Sequence, residues 1–466
     1  MASRTQADLI IVGMGPVGAT AAGLAGAAGL RTVVLDRELQ PYALPRAIHF
    51  DAEIMRVFAS IGLRDALAQA TRPLGGSVYL GADLKPIRTF RSPGPAHADA
   101  AHPSNLFYQP QLEAILRDNL QRFEQVDVRL GHDVREVVQD DGGCRVTATT
   151  ADGDTVEIDA AFVLACDGAS SPVRKALGIE LDDIGFQERW LVVDTFVRGA
   201  MRWPDAYAIP PEVRDGRFSL MVCDPSRPAT LIPSIGDHRR WEYRLEPDEP
   251  DALVTSDAWL RREIGAWVDP DDVEMIRSAV YNFRALIAHR WQEGRIFLAG
   301  DAAHQTPPFF GQGMCHGIRD ATQLIWKLRL MLDGAASPAL LDSYQVEREP
   351  HVRAIVAASV AAGAAVCITD AAAACARDAE FRAIEAARAT APVAMTDVVP
   401  PIHAGAIDPA TGGARFPELV VDDDGQRIAL DTLLGGRFAL VANRTPGLAA
   451  GTAARWQAIG GGIVVL

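Results

Sequence analysis

Short apolar runs and a stretch of small residues alternate at the start of the chain. Asp8–Val12 (DLIIV) and Arg31–Asp36 (RTVVLD) are bounded by turn residues, and the Ala- and Gly-rich Pro16–Gly29 lies between them. This pattern predicts strand, helix and strand in one βαβ unit. Ala161–Ala165 (AFVLA) and Arg295–Ala299 (RIFLA) predict two further buried strands, each running up to an Asp. Open α/β sheets hold ligands at the carboxyl ends of their strands, so three segments distant in sequence are expected to meet at one crevice.

The material between these segments has a different period. Residues of about 74–106 and 181–283 contain alternating stretches such as Trp190–Val197 (WLVVDTFV) and Trp241–Leu245 (WEYRL), separated by Pro-rich turns. They predict strands of a mainly antiparallel sheet, with Trp190 and Trp241 in its core. From Gly317 the apolar positions Ile318, Ala321, Ile325 and Leu328 recur at helical spacing, and more helix is expected to about residue 398. After Pro400-Pro401 the composition turns to Gly, Asp and short strand-like runs, predicting a small appended module.

Composition narrows the function. A chain of 466 residues implies two or three domains. The formal charge of −15 argues against nucleic acid and against an anionic membrane surface, both of which need a surplus of Lys and Arg. The longest charge-free apolar run, Ala354–Thr369, is Ala-dominated and shorter than a bilayer span, so no membrane segment is expected. Six cysteines without CxxC or metal-ligand spacing suggest buried free thiols and no metal. MASRTQADLIIVG contains no secretory signal, so the expected location is cytoplasmic.

Three motifs carry chemistry. In Gly13-Met14-Gly15-Pro16-Val17-Gly18, Gly13 allows a tight turn, Gly15 lets backbone approach a pyrophosphate, and Gly18 lets helix and strand pack closely. Asp36, ending the next strand, suits ribose hydroxyls. In Cys166-Asp167-Gly168-Ala169-Ser170-Ser171-Pro172-Val173-Arg174 an Asp-Gly follows a strand, with Ser171 and Arg174 near a helix start. Taken alone that is also an ordinary helix beginning. In Gly300-Asp301 through Met314 (GDAAHQTPPFFGQGM) the acid suits a ribityl or ribose hydroxyl, while Gly311 and Gly313 let main chain press on a planar ring. The helix after Met314 points its positive end at that ring, favouring an anionic, reduced flavin.

Together these motifs resemble the three fingerprints of the class A, single-component FAD-dependent aromatic hydroxylases of the p-hydroxybenzoate hydroxylase type. Within that family the chain is most similar to the 3-(3-hydroxyphenyl)propionate hydroxylase branch. Further matches are PRAIHFDAE (Pro45–Glu53), FYQPQLEAIL (Phe107–Leu116), WLVVD (Trp190–Asp194), DATQLIWKL (Asp320–Leu328) and LLDSYQVERE (Leu340–Glu349). The resemblance implies an α/β fold: a Rossmann-like FAD-binding domain (residues 1–73, 107–180 and 284–360) with an inserted, mainly antiparallel β-sheet substrate domain (74–106 and 181–283). A helical segment (361–400) and a partial thioredoxin-like tail (401–466) without CxxC would follow. It places FAD diphosphate at Gly13, Gly15 and Gly18, ribose at Asp36, and the phosphate and ribityl region at Arg46, Gln111 and Asp301. Backbone of Gly313 and Met314 would meet the flavin pyrimidine, with Pro308 beside the ring. Pro16, Val17, Arg37, Val134, Asp167, Gly168, Gly300 and Gly311 complete the implied cofactor set. One departure stands out: Cys315, followed by His316, occupies the place where relatives carry Asn.

The implied reaction is hydroxylation of a phenolic small molecule, 3-hydroxyphenylpropionate-like, with NADH or NADPH binding transiently, O2 as cosubstrate and a C4a-hydroperoxyflavin as the oxygen donor. A tailoring hydroxylase of a larger polycyclic phenol shares every fingerprint, and a non-catalytic nucleotide-binding regulator is the remote alternative. The oligomeric state is open, with a homodimer among the options. His49 is the candidate substrate-adjacent catalytic residue, because it follows Arg46 where the chain turns past the ring. His304 reads as a turn residue held by backbone, His316 as a partly exposed one, and Tyr281 and Arg284 as residues at the domain junction.

Overall fold

The computed structural model describes residues 6–41, 44–97, 100–388, 399–408, 410, 413–423 and 425–466. Strand Gln6–Val12 is flanked by two parallel partners, Thr32–Asp36 and Thr155–Ala165. Buried strands of this kind read as unbroken apolar runs rather than alternating ones, and Leu9, Ile10 and Ile11 are fully buried. The sheet runs Gln292–Glu293, Ile296–Leu298, Thr155–Ala165, Gln6–Val12, Thr32–Asp36, Val126–Leu130, with strand Gly143–Thr150 joined antiparallel to Thr155–Ala165 and His132–Asp140 antiparallel to Gly143–Thr150. Helix Pro16–Ala27 packs on it, and helix Gly313–Leu332 packs against that helix.

A second eight-stranded sheet has the order His304–Gln305, Val273–Ala288, Leu181–Val197, His238–Arg244, Ala229–Pro233, Phe218–Val222, Gly76–Leu80, Pro86–Arg91. All its pairs are antiparallel except Phe218–Val222 with Gly76–Leu80. Side chains alternate across it as a pleat requires. Val78, Leu191, Val193, Leu220, Trp241 and Tyr243 enter one apolar core, whereas Tyr79, Val192, Met221, Arg240 and Glu242 face the other way. Trp190 and Trp241 are both buried, as their strand positions predicted.

Helix Gly313–Leu332 begins four residues ahead of the predicted Gly317. Helical period in apolar residues could not reveal that first turn, because it opens on a cavity rather than on the core. Helices Ala339–Val366 and Ala371–Arg388 follow; the helix expected as far as about residue 398 lies beyond this in residues outside the described set. The tail forms the hairpin Val420–Asp423 with Gln426–Ala429 and a parallel pair, Ala439–Ala442 with Gly462–Val465, connected through helix Ala450–Ala458. It is docked by ion pairs from Arg56 to Asp431 and Arg64 to Glu418, and by Trp326 edge-on to Phe438. No single helix among the described residues is long and apolar enough to cross a membrane. All six cysteines are free, but Cys375 is exposed and Cys166 half-buried, so the expected burial holds for four.

A buried polar cluster ties these parts together. Asp320, fully buried, accepts from the Gly300 N–H (3.1 Å), pairs with His304 Nε2 (2.7 Å) and accepts from Arg348 Nε (2.9 Å). His304 is therefore held by a carboxylate rather than by backbone, since its ring lies within reach of the neighbouring helix. His316 is completely buried against Arg348 and His351, not partly exposed, because the first turns of its helix are enclosed by helix Ala339–Val366. Burial pushes the Asp320 carboxyl up, but His304 and Arg348 outweigh it and hold it below the usual range. A depressed carboxyl stabilises the fold above its unfolded pKa of about 3.9, and that contribution is lost as pH falls through the folded value. Asp320→Asn is expected to lower the unfolding free energy by about 3–5 kcal/mol, because it strands the Arg348 charge in the interior. Urea denaturation at pH 7 measures this, and the difference between wild type and variant should shrink as pH drops below about 4.

Candidate active site

The carboxyl ends of strands Gln6–Val12, Thr155–Ala165 and Ile296–Leu298 open on a cavity of about 770 Å³. At the first end, Gly13 has φ +95°, and a methyl group there would stand 2.5 Å from the Cys166 carbonyl oxygen. A methyl group on Gly18 would overlap the Gly13 carbonyl, so Gly18 serves the turn from behind and is not part of the cavity wall. Gly15 has open space where its side chain would be. Helix Pro16–Ala27 has no side-chain cap, leaving its first amides directed at the cavity beside Pro16 and Val17. Asp36 accepts from the N–H groups of Met14 (2.6 Å) and Glu38 (2.8 Å).

The second end is bolted to the third. Arg174 donates to the carbonyls of Ala302 (3.0 Å) and Ala169 (3.1 Å), and Ser171 caps the helix that carries it. Asp167 accepts from Val173 N–H through Oδ2, while Oδ1 is buried without a partner among the described residues. Burial raises its pKa. Gly168 (φ +82°) leaves open space beside it.

At the third end, Gly300 takes φ +61° and gives its N–H to Asp320, so it anchors the turn and lies behind the wall. Asp301 is exposed to the cavity, and desolvation by the surrounding wall raises its pKa against the pull of His304 and Arg46. Helix Gly313–Leu332 again lacks a side-chain cap, and Gly313 has nothing within 4 Å of a side-chain position. Its start is fixed by Arg319, which donates to Asp51 (2.6 Å), Glu53 (2.7 Å) and Gln312 (3.1 Å).

Of the residues singled out from the sequence, the wall contains His49, Gly13, Gly15, Pro16, Val17, Asp36, Arg37, Arg46, Val134, Asp167, Gly168, Asp301, Pro308, Gly311, Gly313 and Met314. Gly18 and Gly300 stand behind it. Gln111 is exposed on helix Gln109–Leu120 and outside the wall; Gln109, at the first position of that helix, takes the inward place. Gln109 Oε1 accepts from the N–H groups of Arg46 (2.7 Å) and Ala47 (2.6 Å). Tyr281 is on the wall, whereas Arg284 is exposed and paired with Asp183.

His49 is buried, with Nε2 at 2.7 Å from Ser104 Oγ and Nδ1 beside Gly311. Desolvation outweighs the nearby Asp51 and lowers its pKa, so the ring is neutral. Arg117 escaped notice in the sequence. It lines the cavity, gives Nη2 to the Met14 carbonyl (3.1 Å), and leaves Nε and Nη1 without partners among the described residues. Its place one helical face along from Gln109 was the available signal.

These features fit a flavin dinucleotide. Two uncapped helix starts and a guanidinium with two donor nitrogens free among the described residues, its third held by the Met14 carbonyl and near Glu113, suit a diphosphate and an anionic ring. The glycine positions that open on the cavity admit close approach of a ligand.

Comparison with known proteins agrees. Residues 6–359 match the family model described as FAD binding domain. The chain is 35% identical to a probable NADH-specific resorcinol 4-hydroxylase of Rhodococcus jostii (strain RHA1), over all of this chain and 85% of that one. It is 34% identical to a 3-(3-hydroxy-phenyl)propionate/3-hydroxycinnamic acid hydroxylase of Mycolicibacterium gilvum (strain PYR-GCK), over 99% and 80% of the two chains. In fold it resembles the flavin-dependent monooxygenase PieE in complex with FAD and substrate, with TM-score 0.79 at 21% identity, covering 100% and 90% of the two chains. A ternary complex of aklavinone-11 hydroxylase with FAD and aklavinone gives 0.78 at 22%, covering 100% and 89%. Arg117→Ala is expected to weaken FAD binding by about tenfold or more, the effect of deleting a charge-assisted contact. Fluorescence titration of apoprotein with FAD checks this, and Gln111→Ala should leave the affinity unchanged.

Proposed function

The chain belongs to the FAD-dependent aromatic hydroxylases, and from that premise we propose that it hydroxylates a monocyclic phenol using NAD(P)H and O2. The net change is ring C–H plus O2, NAD(P)H and a proton giving ring C–OH, NAD(P)+ and water. Bound FAD supplies the redox chemistry, accepting a hydride equivalent and delivering one oxygen atom to the ring. The observation that carries the reading is the extent of the cavity. It runs without interruption from the glycine turn at Gly13–Gly15 to the inner face of the second sheet, where Tyr79, Met221, Ile232 and Phe283 form an aromatic and aliphatic wall.

The protein's own contribution is binding, orientation and exclusion of water. With FAD bound, the backbone of Gly313 and Met314 and the start of their helix would stabilise negative charge on the flavin ring, worth on the order of 1 kcal/mol. Asp36 and Asp301 would receive hydroxyls of the ribose and ribityl chains, and Gln109 holds the Arg46 backbone in register. Neutral His49, wedged between Ser104 and Gly311, forms the wall where the two halves of the cavity meet. The apolar lining keeps bulk water from the reacting atoms, which protects the reaction from unproductive decay to peroxide.

The two named relatives act, by their names, on a dihydroxybenzene and on hydroxyphenyl acids. Oxidation of NADH and NADPH by the purified holoenzyme is expected to accelerate with monocyclic phenols, and hydroxylated product should exceed peroxide. If monocyclic phenols yield only peroxide while a polycyclic phenol yields product, the substrate class is wrong.

A further inference from the structure

The sheet face above the cavity carries a carboxylate without a hydrogen-bond or ion-pair partner among the described residues. Glu242, on strand His238–Arg244, is buried and lines the cavity. Its cross-strand neighbours are Val192 and Thr230. No hydrogen bond or ion pair reaches its oxygens among the described residues, and they keep access to the cavity.

The cations near it are committed elsewhere. Arg240 binds Asp194 (2.9 and 3.1 Å) and donates to the carbonyls of Arg46 (2.5 Å) and Pro45 (2.9 Å). Arg277 donates Nη1 to the Pro45 carbonyl and lies over the Tyr281 ring, while its Nε has no hydrogen-bond partner among the described residues. Arg244, further along the same strand, is paired with Glu188 and Glu246. Charged groups flanking Glu242 are thus Arg240 and Arg244 on its own strand and Asp194 and Glu188 on strand Leu181–Val197, while Ala229–Pro233 brings only the Thr230 hydroxyl. A buried acid in such a place is unfavourable until a ligand donates to it.

We propose that Glu242 is a catalytic residue that receives the hydroxyl of the substrate phenol, and that the site selects uncharged dihydroxybenzenes over phenols bearing a carboxylate side chain. This rests on the aromatic hydroxylation reading above. The phenol O–H bond breaks, its electron pair stays on the ring oxygen, and the proton passes to a Glu242 oxygen. The phenolate is richer in electrons at the ring carbons ortho and para to it, where oxygen is added. The proton returns to the product's phenolate oxygen, so Glu242 ends as it began and exchanges no electrons. A substrate carboxylate would meet the like charge of Glu242, and Arg240, the cation beside it on the strand, is already engaged by Asp194. Enclosure pushes the Glu242 pKa up to about 7, with Arg240 drawing it down and Asp194 up, which matches a base working near neutrality.

The test uses holoenzyme of wild type, Glu242→Gln and Glu242→Asp, with flavin content and urea denaturation as controls on folding. Product formation from resorcinol and from 3-(3-hydroxyphenyl)propionate is followed against pH, and bound resorcinol is examined by ultraviolet difference spectra without NAD(P)H. Wild type should favour resorcinol in kcat/KM, show kcat/KM rising through about pH 7, and display a phenolate band on binding below the pKa of free resorcinol. Glu242→Gln should lose the band and the rising limb, fall about a hundredfold below pH 7, and recover as pH approaches the phenol's own pKa of about 10. Its preference should move toward the acid. Glu242→Asp should retain the band with a lower kcat. A flavin-replete Gln variant with the wild-type rate and pH limb overturns the proposal, as does a wild type that prefers the acid or binds resorcinol without the band. If wild type yields no product from any phenol, the hydroxylation reading fails instead, and the binding spectra alone decide the part of Glu242.

Discussion

Three turns of backbone can form one cradle only if something fixes them relative to each other, and here a carboxylate behind the cradle does so. Asp320 reaches from helix Gly313–Leu332 to the Gly300 N–H and to His304, while Arg348 arrives from the next helix to balance its charge. The turn bearing Asp301 is thereby fastened to the helix whose first amides face the cavity. Arg174 then clamps the turn at Ala169 to the carbonyl of Ala302. A neutral hydrogen bond contributes about 1 kcal/mol, and one to a charged group about twice that. Loops that leave a sheet edge are otherwise free to shift by more than a flavin would tolerate, so charged bolts at their bases are the economical physical solution.

The second sheet is attached to this cradle by similar means. Arg240 and Arg277 project from neighbouring regions of that sheet and grip the carbonyls of Pro45 and Arg46, while Gln109 holds the Arg46 and Ala47 amides from the other side. The segment leading to His49 is suspended between cofactor and substrate walls. Displacement of strand His238–Arg244 would carry both Glu242 and the Arg46 backbone with it. A ligand that draws on Glu242 therefore acts on the same rigid unit that shapes the cofactor side.

The sequence made the cofactor half legible because that half depends on local chemistry. A strand ending in a glycine that needs positive φ, followed by an uncapped helix, is written in six consecutive residues, and Gly13, Gly168, Gly300 and Gly311 all take such φ values. The mainly antiparallel second sheet was legible from alternation alone. Which residues of it face the cavity was not, since that depends on register and on the parallel pairing of Gly76–Leu80 with Phe218–Val222, more than a hundred positions apart. Trp241 and Tyr243 were recognisable as one face of a strand, and Glu242, between them, necessarily occupied the other. Without the sheet order nothing said that the other face was a cavity and not solvent. The exchange of Gln111 for Gln109 has a smaller cause: the helix begins at Gln109, so rotation by two residues turns one glutamine inward and the other out.

Cys315 and His316 show why the departure from the family pattern is compatible with the same cradle. Both side chains are fully buried and directed away from the cavity, Cys315 with its thiol 3.9 Å from the Gly311 carbonyl and His316 against Arg348. What the turn presents to the cavity includes the main chain of Gly313 and Met314, and main-chain donors do not change when a neighbouring side chain does. The substrate wall has no such protection, because its donors and acceptors are side chains on a regular strand, and each substitution there alters the chemistry directly. A fold built this way can keep one cofactor while its phenol-binding face is rewritten residue by residue, and in this chain the residue that most changes the character of that face is the unpaired acid at 242.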